Sequence, residues 1–343
     1  MTSIAAVREN NAGITRLYGS GLVAVFVGGT SGIGESTARA FIRNTDTSRA
    51  YLIGRDEAKA KSIIEELRQV KPDSQVTFVK SDVSLLREVD SACSAIQEKE
   101  EKVNILFLSP GTGSMNGRDE TDEGLDKKLN LHYYSRMRFI SNLLPQLTKA
   151  ADKTQFKNNT DANKPARLSR VISVLEAGGE AALHLDDLSL KTNWTLRNCG
   201  KHAITMNSVS MEHLASIHRQ TSFIHTFPGI VRTGLNRDLG TAAKCAVSAL
   251  MVLATPWEIP FEESGERHLF AATSTRFPAR ADRDKYLGVA EGSDGVVGSG
   301  FYRVASDGST YKPSKIMGQY RADGVRGVIW DHTLNVFKQV RGE

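Results

Sequence analysis

The fold is decided by one stretch, Val27-Gly28-Gly29-Thr30-Ser31-Gly32-Ile33-Gly34. An apolar run precedes it, Leu22-Val23-Ala24-Val25-Phe26, and Glu35-Ser36-Thr37-Ala38-Arg39-Ala40-Phe41-Ile42-Arg43 follows it. The run reads as a buried strand and the later segment as an amphipathic helix. A glycine-rich turn between a strand and a helix is a phosphate cradle. Without a Cβ, the backbone can turn tightly and come close to a pyrophosphate. The N–H groups that a helix start leaves unpaired then face the anion.

Strand and helix continue to alternate outward from this turn. Residues 50–53, 76–79, 103–108, 170–174 and 222–225 read as strands, and 57–69, 85–97, 125–147 and 202–218 as helices. Pro145 is expected to end the third of these helices. The alternation predicts an α/β fold with a doubly wound parallel sheet of Rossmann type. Residues 301–304 read as a last strand and 328–340 as a terminal helix. Residues 1–20 read as a polar arm on the surface and 150–167 as a surface excursion. Residues 21–343 then form a single domain, with a substrate-covering region at about 234–300.

The chain has 343 residues, 40% of them hydrophobic and 24% charged, which is globular composition with length for a large core. Its net charge of +5 comes without a basic run or an aromatic-interleaved basic stripe, so no nucleic-acid partner is expected. Cys93, Cys199 and Cys245 lie far apart without zinc-type spacing. No metal is expected, and a reducing, cytoplasmic location fits. The most apolar later segment, 245–254, is too short to span a bilayer, and no signal-peptide core is seen. As a greasy helix, that segment could line a substrate pocket or touch a membrane surface.

The spacing Gly28-x-x-x-Gly32-x-Gly34 resembles the glycine motif of the short-chain dehydrogenase/reductase family, with Val27 where that family usually opens on Thr. Four later positions are similar in order. Gly54-Arg55 end the second strand, where enzymes that choose NAD usually carry an acid. Arg55 suits a 2′-phosphate through its planar fork, so NADP(H) is the expected cofactor, although Asp56 follows directly. Ser81-Asp82-Val83 looks like the pair that holds the adenine edge; Asp82 also suits a helix cap. Leu108-Ser109-Pro110-Gly111 keeps only Gly111 of the usual Asn-Asn-Ala-Gly. Pro228-Gly229-Ile230-Val231-Arg232-Thr233 is similar to Pro-Gly-x-Val-x-Thr, which holds the nicotinamide carboxamide. The resemblance therefore implies cofactor contacts from Gly28, Thr30, Ser31, Gly32, Ile33, Gly34, Arg55, Asp82, Val83, Gly111, Pro228, Ile230, Val231 and Thr233.

At the redox site the resemblance breaks. The family uses Ser, Tyr and Lys there, but none of the eight tyrosines lies between Tyr134 and Tyr286. Arg197 to Lys201 is the nearest match to Tyr-x-x-x-Lys. A second alignment places Gly200 and Ile204 at the two positions. Glu176 stands in the Ser place, with Ser173 earlier in the strand. His132 falls where the family has a helix Asn, and Asn130 lies two residues away. The candidate catalytic groups are thus Tyr133, Tyr134, Glu176, Lys201 and His132, with His202 nearby. The proton donor is expected in the helix cluster or at Glu176. Each also has a plain structural role open to it: rings filling a helix interface, a solvated carboxylate, a surface lysine, a helix cap. Asp186-Asp187 reads as loop solvation or helix capping rather than as an acid–base or metal pair.

Positioned acid–base groups contribute about 10²–10⁴-fold, so their loss slows hydride transfer without forbidding it. Stretches such as Leu131-His132-Tyr133-Tyr134-Ser135-Arg136 and 264–270 are similar to fungal proteins of this family in secondary metabolism. The expected function is an atypical NADP-dependent oxidoreductase acting on a small organic substrate, with homo-oligomers open to it. A non-redox cyclase or isomerase on the same scaffold is the second reading, and a catalytically silent nucleotide-binding module the third.

Overall fold

The computed structural model describes residues 1–152, 166–234, 240 and 255–342. Seven strands form one sheet: β1 (Val23–Val27), β2 (Arg49–Gly54), β3 (Gln75–Lys80), β4 (Ile105–Leu108), β5 (Arg170–Val174), β6 (Ser222–Thr226) and β7 (Phe301–Val304). Their order is β3-β2-β1-β4-β5-β6-β7, and every neighbouring pair is parallel. This is the doubly wound α/β sheet expected from the alternation. The winding reverses between β1 and β4, which opens a crevice at the carboxyl ends of those strands.

Side chains alternate across β1. Val23, Val25 and Val27 face one core, shared with helices Leu86–Gln97, Ser135–Ala150 and Leu196–Ile217. Ala24 and Phe26 face the other, shared with helices Gly32–Arg43 and Phe261–Thr273. With both faces covered, β1, β4, β5, β6 and β7 are buried along their whole length. Parallel strands in such a setting read as continuous apolar runs.

Four local expectations are corrected. Residues 1–20 are not a polar arm: they form helices Ile4–Ala12 and Ile14–Tyr18, which send Val7, Ile14 and Tyr18 into the second core. The Tyr18 hydroxyl donates to the Thr273 carbonyl at 2.6 Å, which ties this segment to helix Phe261–Thr273. The helix expected to stop at Pro145 runs on to Ala150. Pro145 lies on the solvent face, where the carbonyl it frees can meet water, while Leu143 and Leu147 stay buried. The same helix is not regular at its start. After Lys127–Leu129 it widens into a π-turn, Asn130–Tyr134, before Ser135–Ala150.

Helix Leu196–Ile217 begins six residues before the periodicity suggested, with the Thr195 hydroxyl accepting from the Asn198 N–H as its cap. Most of the expected excursion at 150–167 lies outside the described residues. So do most of the region ahead of Phe261 and the apolar segment 245–254 with Cys245. Among the described residues no helix is long and apolar enough to cross a membrane, and no cluster of His, Cys, Asp and Glu could hold a metal ion.

Candidate active site

A cavity of about 620 Å³ opens at the carboxyl ends of β1, β2 and β3. Gly28, Thr30 and Ser31 form its floor, Arg55 and Asp56 one wall, and Asp82, Val83 and Gly111 the other. The close packing of the glycine turn makes this shape. A Cβ on Gly34 would stand 2.5 Å from the Gly28 carbonyl oxygen and 2.6 Å from the Ser109 hydroxyl. Helix Gly32–Arg43 can therefore start directly behind the turn, and its first N–H groups end at the cavity. A Cβ on Gly54 would lie 2.6 Å from the Thr30 hydroxyl. No side chain can stand at position 54 while Thr30 holds its place, so Arg55 is the first residue of β2's end to reach the cavity.

Arg55 is exposed and has no ion-pair partner among the described residues. Asp56 is engaged in capping: its carboxylate accepts from the Lys59 N–H at 3.0 Å. The Asp82 carboxylate accepts from the N–H and the hydroxyl of Ser84. A second cleft of about 350 Å³ shares Arg55, Asp82, Gly111 and Leu131 with the first and continues toward Lys127 and Lys128. Thr233 lies beside the glycine turn, 3.3 Å from where a Cβ of Gly32 would be. Ile230 pairs with Glu258, Pro228 and Val231 are partly buried, and Ile33 is partly buried at the helix start.

Past β4 the site is built around Arg136, a residue the sequence reading did not single out. It is 1% exposed. Its guanidinium donates to the Pro110 carbonyl at 2.7 Å, the Val174 carbonyl and Ser173 hydroxyl at 2.8 Å, and the Leu131 carbonyl at 3.2 Å. It thereby fixes the exits of β4 and β5 and the π-turn to one another. Burial without a carboxylate lowers its pKa to about 9.

Ser173 belongs to a row across the sheet, Ser173–His225–Arg303, set by strand register. Each member meets a polar partner on or near helix Leu196–Ile217. Ser173 donates to the Asn207 amide oxygen, whose amide nitrogen donates to the His132 carbonyl at 2.6 Å. Ser208 donates its one hydrogen to Glu180 at 2.7 Å, so His225 must donate from Nδ1 to the Ser208 oxygen at 2.7 Å. Its Nε2 is left without a partner among the described residues. Arg303 pairs with Glu180 at 2.6 Å.

The candidate catalytic residues do not converge. Tyr133 and Tyr134 are 0% and 1% exposed and turn away from the cavity. The Tyr133 hydroxyl bonds Ser210 at 2.7 Å and Thr333 at 2.5 Å, and that of Tyr134 bonds His332 at 2.9 Å and Ser189 at 3.2 Å. They fill an interface with helix Val325–Arg341, where their hydroxyls are engaged. His132 sits beside the Gly111 loop, its Nε2 accepting from the Thr112 N–H at 3.3 Å. Burial, then Arg136 and Lys128, push its pKa down to about 3, so it is a neutral acceptor.

His202 is neutral as well, depressed to about 4 by burial, and its Nε2 accepts from the His184 N–H. Lys201 is partly exposed on helix Leu196–Ile217, and Glu176 is exposed just past β5. Asp187 caps a loop, accepting N–H donors from Lys191, Thr192 and Asn193. Gly200 shares a helix face with Ala203 and Asn207. Lower on that face Asn207 meets His132 and Ser173. At Gly200 itself a Cβ would meet nothing within 4 Å. The alignment that puts Gly200 in the tyrosine place thus corresponds to open space.

Comparison with known proteins agrees with this architecture. A family profile described as short chain dehydrogenase matches residues 22–154. Oxidoreductase AN1596 of Emericella nidulans is 42% identical, covering 99% of both chains. Oxidoreductase andH of Emericella variicolor is 37% identical, covering 100% of this chain and 98% of its own. Among solved structures, an NADPH-bound carbonyl reductase from chicken fatty liver superposes with a TM-score of 0.55 at 16% identity, covering 85% of this chain and 99% of that one.

Proposed function

Because the chain belongs to the short-chain dehydrogenase/reductase family, we propose that it is an atypical NADP(H)-dependent oxidoreductase acting on a small organic substrate of secondary metabolism. One observation carries the reading: the cavity of about 620 Å³ whose floor is the glycine turn and whose wall carries Arg55, without an ion-pair partner among the described residues. Gly28, Thr30, Ser31 and the start of helix Gly32–Arg43 would hold the pyrophosphate. Arg55 would take the 2′-phosphate, and Asp82 and Val83 the adenosine. Pro228, Ile230, Val231 and Thr233 would hold the nicotinamide end. When bound, NADP(H) supplies or accepts a hydride. The chain itself holds and orients the cofactor and the substrate, excludes water and moves a proton. Full-length likeness to fungal oxidoreductases supports this class of chemistry.

Open space at Gly200 also fits the cyclase or isomerase reading, since a scaffold that offers no side chain at that position can still hold and fold a reactive substrate. One experiment separates the two. Incubating the protein with an extract of the producing organism and NADPH deuterated at C4 should place deuterium in a new product. A new product without deuterium would instead support the non-redox reading.

A further inference from the structure

β7 leaves the sheet beside β6 and turns back at once. Val304 and Thr310 form an antiparallel bridge, the Ala305 N–H donates to the Ser309 carbonyl, and the Tyr311 N–H donates to the Arg303 carbonyl at 2.9 Å. This turn brings Tyr311 to the loop that leaves β5, the loop that begins with Glu176. There the tyrosine ring lies on Gly178. That residue has φ +94°, and a Cβ on it would stand 2.7 Å from Cε1 of Tyr311. A glycine is therefore what lets the ring in. The ring is half-buried, and its hydroxyl has no hydrogen-bond partner among the described residues. Arg303 lies in the same cluster, paired with Glu180 and donating to the Lys312 carbonyl, so it ties the β5 loop to the tyrosine's own segment.

We propose that the Tyr311 hydroxyl is the proton donor, a catalytic residue supplied by the β7 turn to a site whose helix carries glycine where a tyrosine would stand. The assignment rests on the oxidoreductase reading. The hydride would come from NADPH, which is thereby oxidised to NADP⁺; at the carbonyl carbon it forms a C–H bond, and the C=O π pair withdraws onto oxygen. That oxygen takes the phenolic proton as the Tyr311 O–H bond breaks. The phenolate is then reprotonated by water. Burial first, then Glu180 and Asp307, raise the Tyr311 pKa, with Arg303 opposing. The phenol is accordingly protonated at neutral pH, the form that a donor in reduction requires.

Tyr311→Phe tests this in the full chain, because it keeps the ring on Gly178 and removes only the hydroxyl. With NADPH and 4-nitrobenzaldehyde or acetophenone as probes, kcat should fall by about 10²–10⁴-fold. KM for the probe, and NADPH affinity by fluorescence titration, should stay at the wild-type level. A second readout does not depend on turnover. Tetranitromethane should nitrate Tyr311 in the free protein, and NADP⁺ with 4-nitrobenzyl alcohol should protect it, as mapped by mass spectrometry. Wild-type turnover in the Phe variant, or nitration unchanged by the ligands, overturns the assignment alone. A wild-type chain that takes up no NADPH overturns the oxidoreductase reading and this assignment with it.

Discussion

Gly34 packs so closely on Gly28 that a Cβ would stand 2.5 Å from the Gly28 carbonyl oxygen. The obstacle is backbone, which cannot swing aside. Gly34→Ala should therefore lower the stability of the cofactor-free protein by roughly 1–3 kcal/mol, the usual range for overpacking. It should also abolish NADPH binding, because the turn must shift to make room. Gly200→Ala is the control: nothing lies within 4 Å of the added methyl, and it sits inside a helix. It should raise stability by about 0.5–1 kcal/mol. Thermal melts of both variants check the pair; equal melting temperatures would refute it.

Arg55→Ala should weaken NADPH about 10–100-fold while leaving NADH unchanged, as expected for loss of one charge-assisted phosphate contact. Calorimetric titration of both cofactors is the check. A parallel loss of both would show that Arg55 supports the cavity wall instead of selecting the phosphate.

Tyr133→Phe and Tyr134→Phe should each cost about 0.5–1.5 kcal/mol of stability, the net worth of a buried hydrogen bond, and leave kcat within about twofold. Their hydroxyls serve the packing of helix Val325–Arg341. A hundredfold drop in kcat for either variant would return the donor to this helix.

Arg136→Leu should destabilise the chain by about 1–3 kcal/mol for each buried acceptor left unpaired. Its loss leaves the Pro110, Leu131 and Val174 carbonyls without their donor. Denaturant titration measures the loss. NADPH affinity should fall as well, because Pro110 and Leu131 line the cavity.

Stability should decline as pH falls from about 6.5 to about 4. His202, His225 and His268 are buried, and burial depresses each to about 4, against 6.5 in the unfolded chain. Over that window the unfolded state binds protons that the folded state refuses, so acid favours unfolding. Each site adds a slope of about 1.4 kcal/mol per pH unit. His225→Asn, whose amide can still donate to Ser208, should remove about one proton's worth of that slope. Denaturant melts at pH 7, 6 and 5 provide the test, and a flat profile would contradict it.

Much of the fold was legible in the sequence because a doubly covered parallel strand has no solvent face to disguise it. Residues 170–174 and 301–304 read as strands from their β-branched and aromatic residues, despite Arg170, Ser173 and Arg303, and agree with β5 and β7. The polar start of helix Leu196–Ile217 hid its first turns, and helix Ile4–Ala12 carries too little amphipathic signal to be recognised alone. Side-chain directions near the site were less accessible. The π-turn Asn130–Tyr134 adds a residue to one helical turn, which rotates Tyr133 and Tyr134 off the face that regular periodicity assigns them. Arg136 was illegible for a related reason: its partners are mostly backbone carbonyls, which leave no pattern in a sequence.

The row Ser173–His225–Arg303 acts on strand alignment as well as on the loops it anchors. Parallel strands are joined by long crossovers, so no tight hairpin dictates how far one should slide along the next. A slip of one residue in β6 would turn His225 to the opposite face, among Phe26, Phe107 and Ile172, and set Phe223 and Ile224 against the wrong partners. The imidazole would lose Ser208 and meet only hydrocarbon. The three polar side chains therefore work like the cuts of a key: misaligned sheets are rejected during assembly, and the one sheet that fits is the one that opens the cavity.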